Sequence, residues 1–263
     1  MLTVFLVRTG TAGRGTRSRA AGCGGVAAVP GGSTSDTPLP DREAPTMEYL
    51  VTMTTSVPDG TPEETVDDIR AREAARSRQL AVQGHLFRLW RPPLRPGEWR
   101  TLGLFAAADA AELEQVLASM PLRVWRTDEL TPLSPHPNDP ARYSTPTGEP
   151  TRRQSSAEEA MEFLTTFRLE IPEGTPDETV DDATTREAER ARELAEEGHL
   201  LRLWIQQTDT AESPALGLWR AEDGAEMETI LESLPLYVWM TVTTVPLSPH
   251  PNDPARTENL PAG

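Results

Sequence analysis

Apolar and polar positions along this chain fall into short alternating runs and long charged runs, and the whole pattern occurs twice. Glu48 to Val57 alternates weakly and is rich in Val, Thr and aromatic side chains, as is Glu162 to Ile171, so both segments predict strands. Each is followed by a helix start. Thr61-Pro62-Glu63-Glu64 places Thr at the N-cap, Pro at the first helical position and a Glu able to reach back to the cap. Thr175-Pro176-Asp177-Glu178 repeats the device. The helices should run to about Gln83 and Glu197, with Gly84 and Gly198 just past their ends. A short strand (His85 to Arg91) and a second (Thr101 to Phe105) come next, separated by a loop that differs between the copies. Asp109-Ala110-Ala111-Glu112 and Asp223-Gly224-Ala225-Glu226 are capping boxes for helices ending near Ser119 and Ser233. The last strands are expected over Pro121 to Leu130 and Pro235 to Val245. Both copies close on P-L-S-P-H-P-N-D-P, whose prolines predict an extended arm outside helix and sheet interior.

The segment Gly84 to Trp90, G-H-L-F-R-L-W, returns as G-H-L-L-R-L-W at Gly198 to Trp204, and the same offset of 114 residues carries Met47 to Met161, Pro121 to Pro235 and His136 to His250. The chain is therefore an ungapped tandem duplication of domain-sized units. Each unit has the order βαββαβ, the α+β, ferredoxin-like arrangement: an antiparallel sheet with two helices on one face. The other face needs a cover, and a domain this small gains from pairing, so the two units are expected to form an intrachain pseudo-dimer of the dimeric α/β-barrel type. The expected organisation is a disordered leader (1–46), a first domain (47–140), a linker (141–160) and a second domain (161–256).

A formal net charge of −16 sets the chain against nucleic acid and anionic membrane, because either needs a basic stripe to displace counterions. A small-molecule substrate is the better expectation, with an intrachain pseudo-dimer that leaves room for further homo-oligomerisation. The single cysteine, Cys23, allows no intrachain disulfide and no thiolate metal cluster, and with no run long enough to span a bilayer it fits a cytoplasmic protein. No metal-ligand spacing, phosphate loop or dinucleotide fingerprint occurs, so no metal and no cofactor are expected.

Helical spacing singles out one acid per copy. Val66, Ile69, Glu73 and Leu80 share a stripe, as do Val180, Ala183, Glu187 and Leu194, so Glu73 and Glu187 fall on the apolar face of their helices. Burial raises a carboxylate's pKa toward the range of a general base, making these two the candidate catalytic residues. The structural alternative is a pair with Arg76 or Arg190, three residues further on. In the following strand, alternation puts Leu86, Arg88 and Trp90 on one face and His85, Phe87 and Leu89 on the other. Arg88 and Arg202 suit a substrate carboxylate or an enolate, or else a structural ion pair. His85 and His199 follow a helix C-terminus and can be proton shuttles or caps; Trp90 and Trp204 can be substrate platforms or core. His136 and His250, flanked by prolines, can close a pocket or belong to an arm that covers a sheet edge.

M-E-Y-L-V-T-M-T, the charged helix ending in G-H-L-x-R-L-W, the L-G-L pair, S-M-P-L after the second helix and the closing H-P together resemble the muconolactone Δ-isomerase family. Both copies match from first strand to terminal His-Pro. The resemblance implies a cofactor-independent isomerase domain, present twice, that moves a proton between two carbons of an unsaturated lactone, as in aromatic catabolism or secondary metabolism. The family's helix carries a Lys three residues before an acidic Glu, and this chain departs from it with Arg70 and Glu73 in one copy and Thr184 and Glu187 in the other. The expected function is a proton-transfer isomerase acting on an unsaturated lactone or polyketide-like carbonyl compound. A non-catalytic binder that sequesters an apolar molecule in its barrel, or a cofactor-free oxygenase or cyclase, are the alternatives. A catalytic base in a pocket distinguishes the enzyme; a Glu73 tied to arginines in a closed core distinguishes the binder.

Overall fold

The computed structural model describes residues 46–143, 160–208 and 213–256. The expected leader, up to residue 45, and the expected linker from 144 to 159 lie outside the described residues. The first repeat runs β1 (Met47–Thr55), α1 (Glu63–Val82), β2 (Leu86–Arg91), β3 (Arg100–Ala107), α2 (Ala110–Ala118) and β4 (Arg126–Pro135). The second runs β5 (Met161–Leu169), α3 (Asp177–Glu197), β6 (Leu200–Gln206), β7 (Ala215–Ala221), α4 (Gly224–Glu232) and β8 (Met240–Pro249). The α+β, βαββαβ order holds in both. Every strand pairing is antiparallel, and the eight strands close in the order β1-β3-β2-β8-β5-β7-β6-β4.

Three apolar layers follow from the alternation of side chains across each strand. Tyr49, Val51, Met53, Leu80, Phe105 and Leu117 fill the space between the first sheet and its helices; Phe163, Leu194, Trp219 and Leu231 do so in the second repeat. The opposite faces of both sheets meet inside the barrel, where Trp90, Leu104 and Leu133 pack with Leu164, Trp204 and Leu218 in one contiguous cluster. Trp90 and Trp204 are each 1% exposed, so the barrel interior is packed core, as in small barrels generally.

Closure also answers the sheet edges. β4 pairs with β6 through Leu133–Pro135, and β2 pairs with β8 through Pro249 and Ser248. The proline-rich arm is thus partly strand, a correction to the extended arm expected: Pro132 and Pro135 lie within β4, and the Pro132 carbonyl still accepts from Gln207 N at 2.9 Å. A proline strand needs only its carbonyls here, so the missing N–H costs little.

Three local expectations are corrected. Thr61 does not cap α1; its hydroxyl donates to the Pro58 carbonyl at 2.7 Å, and Thr175 does the same with Pro172. The expected last strand begins late, because Pro121–Trp125 form a 3₁₀ turn before β4. Alternation fails in β2, where a register shift between Leu86 and Arg88 lets Leu86 join Leu89 in the helix-side core. The boxes at Asp109 and Asp223 hold: Asp109 Oδ1 accepts from Ala111 N and Glu112 N, each at 2.9 Å.

Candidate active site

Glu73 stands in the middle of α1 on the stripe that faces the sheet, and it is 5% exposed. The 3₁₀ turn after α2 directs the Leu122 N–H at it, at 2.8 Å from Oε2, while Arg126 from the start of β4 lies 3.2 Å from Oε1. Arg126 is held in turn by Asp128, with Nη2 3.0 Å from Oδ2 and Nε 2.6 Å from Oδ1, a charge contact too bent to be a hydrogen bond. Arg123 completes the network by bridging Asp128 and Glu114. Desolvation raises the Glu73 pKa above the ordinary carboxylate range; the Leu122 N–H and Arg126 act against that, and Asp128 adds to it. The partner is therefore not Arg76, which donates to Ser119 Oγ and Gln79 instead. One turn further along α1, the buried Ser77 hydroxyl has no hydrogen-bond partner among the described residues.

Glu187 occupies the same place on α3 and receives the Leu236 N–H at 2.9 Å on Oε2. Its surroundings differ. The positions of Arg123, Arg126 and Asp128 are taken by Tyr237, Met240 and Val242, all packed against the second repeat's core. Among the described residues no ion pair reaches Glu187, and its Oε1 takes no hydrogen bond. The side chain is half-buried, and desolvation raises its pKa against the pull of the single backbone N–H. Arg190 again pairs elsewhere, with Glu193, Glu197 and Ser233 Oγ.

The fold does not bring the expected cation to this base. Arg88 and Trp90 face the barrel, on the side of the sheet away from α1. The Arg88 guanidinium grips Glu162 of the second repeat at 2.6 Å and Asp253 at 3.2 Å, while Trp90 Nε1 donates to the same Glu162 at 2.6 Å. Arg202 mirrors it with Glu48 at 2.6 Å and Asp139 at 3.2 Å, and Trp204 Nε1 donates to Glu48 at 2.7 Å. Each guanidinium also stacks on its own strand's tryptophan, 4.8 and 4.6 Å from the ring centroids. The structure thus sets Arg88, Arg202, Trp90 and Trp204 into two ion-paired seams between the repeats. Arg70, at the family's Lys position, is exposed and lies over Trp99 at 4.7 Å.

The histidines are equally committed. His85 Nδ1 and His199 Nδ1 each lie 3.0 Å from a strand carbonyl, of Ala106 and Arg220, so it is their backbone N–H groups, bonded to the Leu80 and Leu194 carbonyls, and not their Nδ1 atoms that close the helices before them. His136 and His250 open the turns after β4 and β8, accepting Asn138 N and Asn252 N on Nδ1 at 3.1 Å. Burial, foremost, lowers both pKa values to about 4. The turns they open aim Asp139 at Leu203 N and Asp253 at Leu89 N, at 3.1 and 3.0 Å.

Glu48, Glu162, Asp139, Asp253, Arg126 and Asp128 were not singled out by the sequence pattern. The first four recur at the offset of 114, but so do many other residues, and only the closed barrel makes them neighbours of the arginines. Among the described residues no group of three or more His, Cys, Asp or Glu could hold a metal, and no helix is long and apolar enough to cross a membrane. A cleft of about 240 Å³ lies between the first repeat's arm (Asn138, Pro140, Tyr143) and α3 (Ala188, Arg192, Ala195, Glu196).

Residues 47–139 and 161–253 each match the family described as muconolactone delta-isomerase. The chain is similar to Muconolactone Delta-isomerase 1 of Acinetobacter lwoffii, 36% identical over 92 residues, which is 35% of this chain and 93% of that protein. It is 35% identical over 92 residues to Muconolactone Delta-isomerase of Cupriavidus pinatubonensis, covering 35% of this chain and 97% of that one. Among solved structures, a heme-binding protein from Thermus thermophilus aligns with TM-score 0.48 and 11% identity over 80% of this chain and 95% of that chain. Chlorite dismutase from Candidatus Nitrospira defluvii aligns with TM-score 0.48 and 10% identity over 77% and 91%.

Proposed function

The chain belongs to the muconolactone Δ-isomerase family, and from that premise we propose that it is a cofactor-independent isomerase of a small unsaturated lactone, with a glutamate carried mid-helix as its base. The observation that carries the reading is the Glu187 carboxylate: half-buried, raised in pKa, anchored on one oxygen by the Leu236 N–H and with the other oxygen unbonded among the described residues. Such a group is suited to proton exchange, because burial makes a carboxylate more basic and one oxygen is left to act.

The reaction balances with this one group. The carboxylate takes a proton from the saturated carbon next to the double bond that is conjugated with the lactone carbonyl; the C–H bond breaks, an O–H bond forms on the glutamate, and the electron pair delocalises through the double bond onto the carbonyl oxygen as a dienolate. The glutamic acid then returns the proton to a different carbon of the dienolate. The double bond has moved, the base is regenerated, and neither oxidant nor reductant is consumed.

The test is solvent deuterium incorporation into muconolactone, run beside the rate of isomerisation. In the double variant Glu73→Gln, Glu187→Gln, both should fall together by about a hundredfold or more with folding intact. Turnover at the parent rate would place the base elsewhere. The polyketide-like substrate and the oxygenase have no observation in their favour beyond the general fold. The sealed Glu73–Arg126 pair meets the mark set for a non-catalytic binder, but in the first repeat alone, since no ion pair reaches Glu187 among the described residues. The binder's barrel space is occupied by Trp90, Trp204 and their leucine neighbours.

A further inference from the structure

The two repeats differ most tellingly around one retained acid. Glu73 and Glu187 correspond, and the backbone donors Leu122 N and Leu236 N correspond, so the cradle for one carboxylate oxygen is present twice. What surrounds the other oxygen has been exchanged as a set. Arg126, which contacts Glu73, Asp128, which holds Arg126, and Arg123, which holds Asp128, become Met240, Val242 and Tyr237. Exchanging a buried ion-pair cluster for apolar side chains of similar bulk is a change that proteins tolerate well, provided that the whole cluster goes. Here it does not. The second repeat has lost the two arginines and the aspartate but keeps the glutamate, the one member whose burial without a cation is costly.

The remaining charged and titratable groups around Glu187 do not replace them. Arg190 on α3 is engaged by Glu193, Glu197 and Ser233 Oγ. Tyr237 on the 3₁₀ turn packs against the apolar core, and Glu228 on α4 is exposed. Exposure differs in the same direction: Glu73 is sealed with both oxygens engaged, whereas Glu187 is half-buried with one oxygen engaged. A carboxylate closed off from solvent with both oxygens engaged cannot meet a substrate carbon. A half-buried carboxylate among apolar side chains, with one oxygen unbonded, is better placed to do so.

We propose that the repeats have divided their labour: Glu187 of the second repeat is the working base, while the Glu73–Arg126–Asp128–Arg123 network turns the corresponding site of the first repeat into a structural brace. This rests on the proton-transfer reading above, and the experiment separates the two. Isomerisation and deuterium incorporation are measured for Glu187→Gln, for Glu73→Gln, for the double variant Glu73→Gln, Glu187→Gln, and for Met240→Arg, Val242→Asp. The last keeps Glu187 and gives it the first repeat's charged neighbours. Glu187→Gln alone should fall to the rate of the double variant, about a hundredfold below the parent. Met240→Arg, Val242→Asp should lose about tenfold or more, as expected when an opposite charge stabilises the deprotonated base. A Glu187→Gln enzyme that keeps about half the parent rate would show two equal sites and overturn the division, and so would a full loss produced by Glu73→Gln alone. A double variant at the parent rate would overturn the proton-transfer reading itself. Should Glu187→Gln fail to fold, Met240→Arg, Val242→Asp decides: an unchanged rate overturns the proposal and a loss with native circular dichroism sustains it.

Discussion

Single side chains here are governed by what the sheet leaves open to them. His136 and His250 each accept a backbone N–H on Nδ1, so protonation would set two donors against one another inside a half-buried turn. Their folded pKa values are about 4, below the ordinary 6.5. A depressed folded pKa gives stability that is present above pH 6.5 and lost as pH falls toward 4, amounting to at most about 3 kcal/mol per histidine. Glu73 and Glu187, with raised values, act in the opposite sense: their contribution is full at low pH and lost as pH rises through their folded pKa. We expect urea midpoints of His136→Gln, His250→Gln to fall less steeply between pH 6.5 and 4 than those of the parent. Parallel profiles would show that the imidazoles do not report their burial. The L-G-L glycines belong to the same scale, since a Cβ at Gly103 or Gly217 would collide with the Phe105 or Trp219 ring two residues on.

At the scale of elements, the two helix starts that look alike in sequence are built differently. Asp109 accepts two backbone N–H groups of α2, whereas Thr61 spends its hydroxyl on the loop before α1. Asp109→Ala should therefore cost about 1 kcal/mol and Thr61→Ala only a few tenths, read from thermal or urea unfolding. Equal losses would mean that Thr61 caps α1 in solution. The Pro121–Trp125 turn has the larger consequence. Had those residues continued as strand, their N–H groups would have gone into the ladder; as a 3₁₀ turn they leave Leu122 N to bind Glu73, and Leu236 N does the same for Glu187. The candidate base is thus placed by a helix and by a turn that follows a different helix.

For the whole molecule, each repeat completes the other. Arg88 of the first is satisfied by Glu162 and Asp253 of the second, and Arg202 of the second by Glu48 and Asp139 of the first. Separating the repeats would expose the Trp90 and Trp204 cluster and leave buried charges unpaired, and removing one partner of such a pair typically costs about 3–5 kcal/mol. Either repeat expressed alone should dimerise or aggregate, as sedimentation would show. A stable monomer would mean that the barrel seams contribute little.

The βαββαβ order, the duplication and the apolar stripe that carries Glu73 and Glu187 were legible in the sequence, because side-chain period, capping chemistry and self-similarity are local properties of the chain. The partners of those glutamates were not. Arg76 stands one turn away and looked like the counter-ion, yet its guanidinium reaches Ser119, and the cation on Glu73 comes from Arg126, 53 residues along. Arg88 was open to a substrate anion or a structural ion pair, and the acids that settle its geometry, Glu162 and Asp253, lie 74 and 165 residues away. Local periodicity decided which face most side chains take, the bulged starts of β2 and β6 excepted. Only closure of the barrel decided which charge each one meets, since ion pairing depends on distance in space, and the edges that join here belong to different repeats.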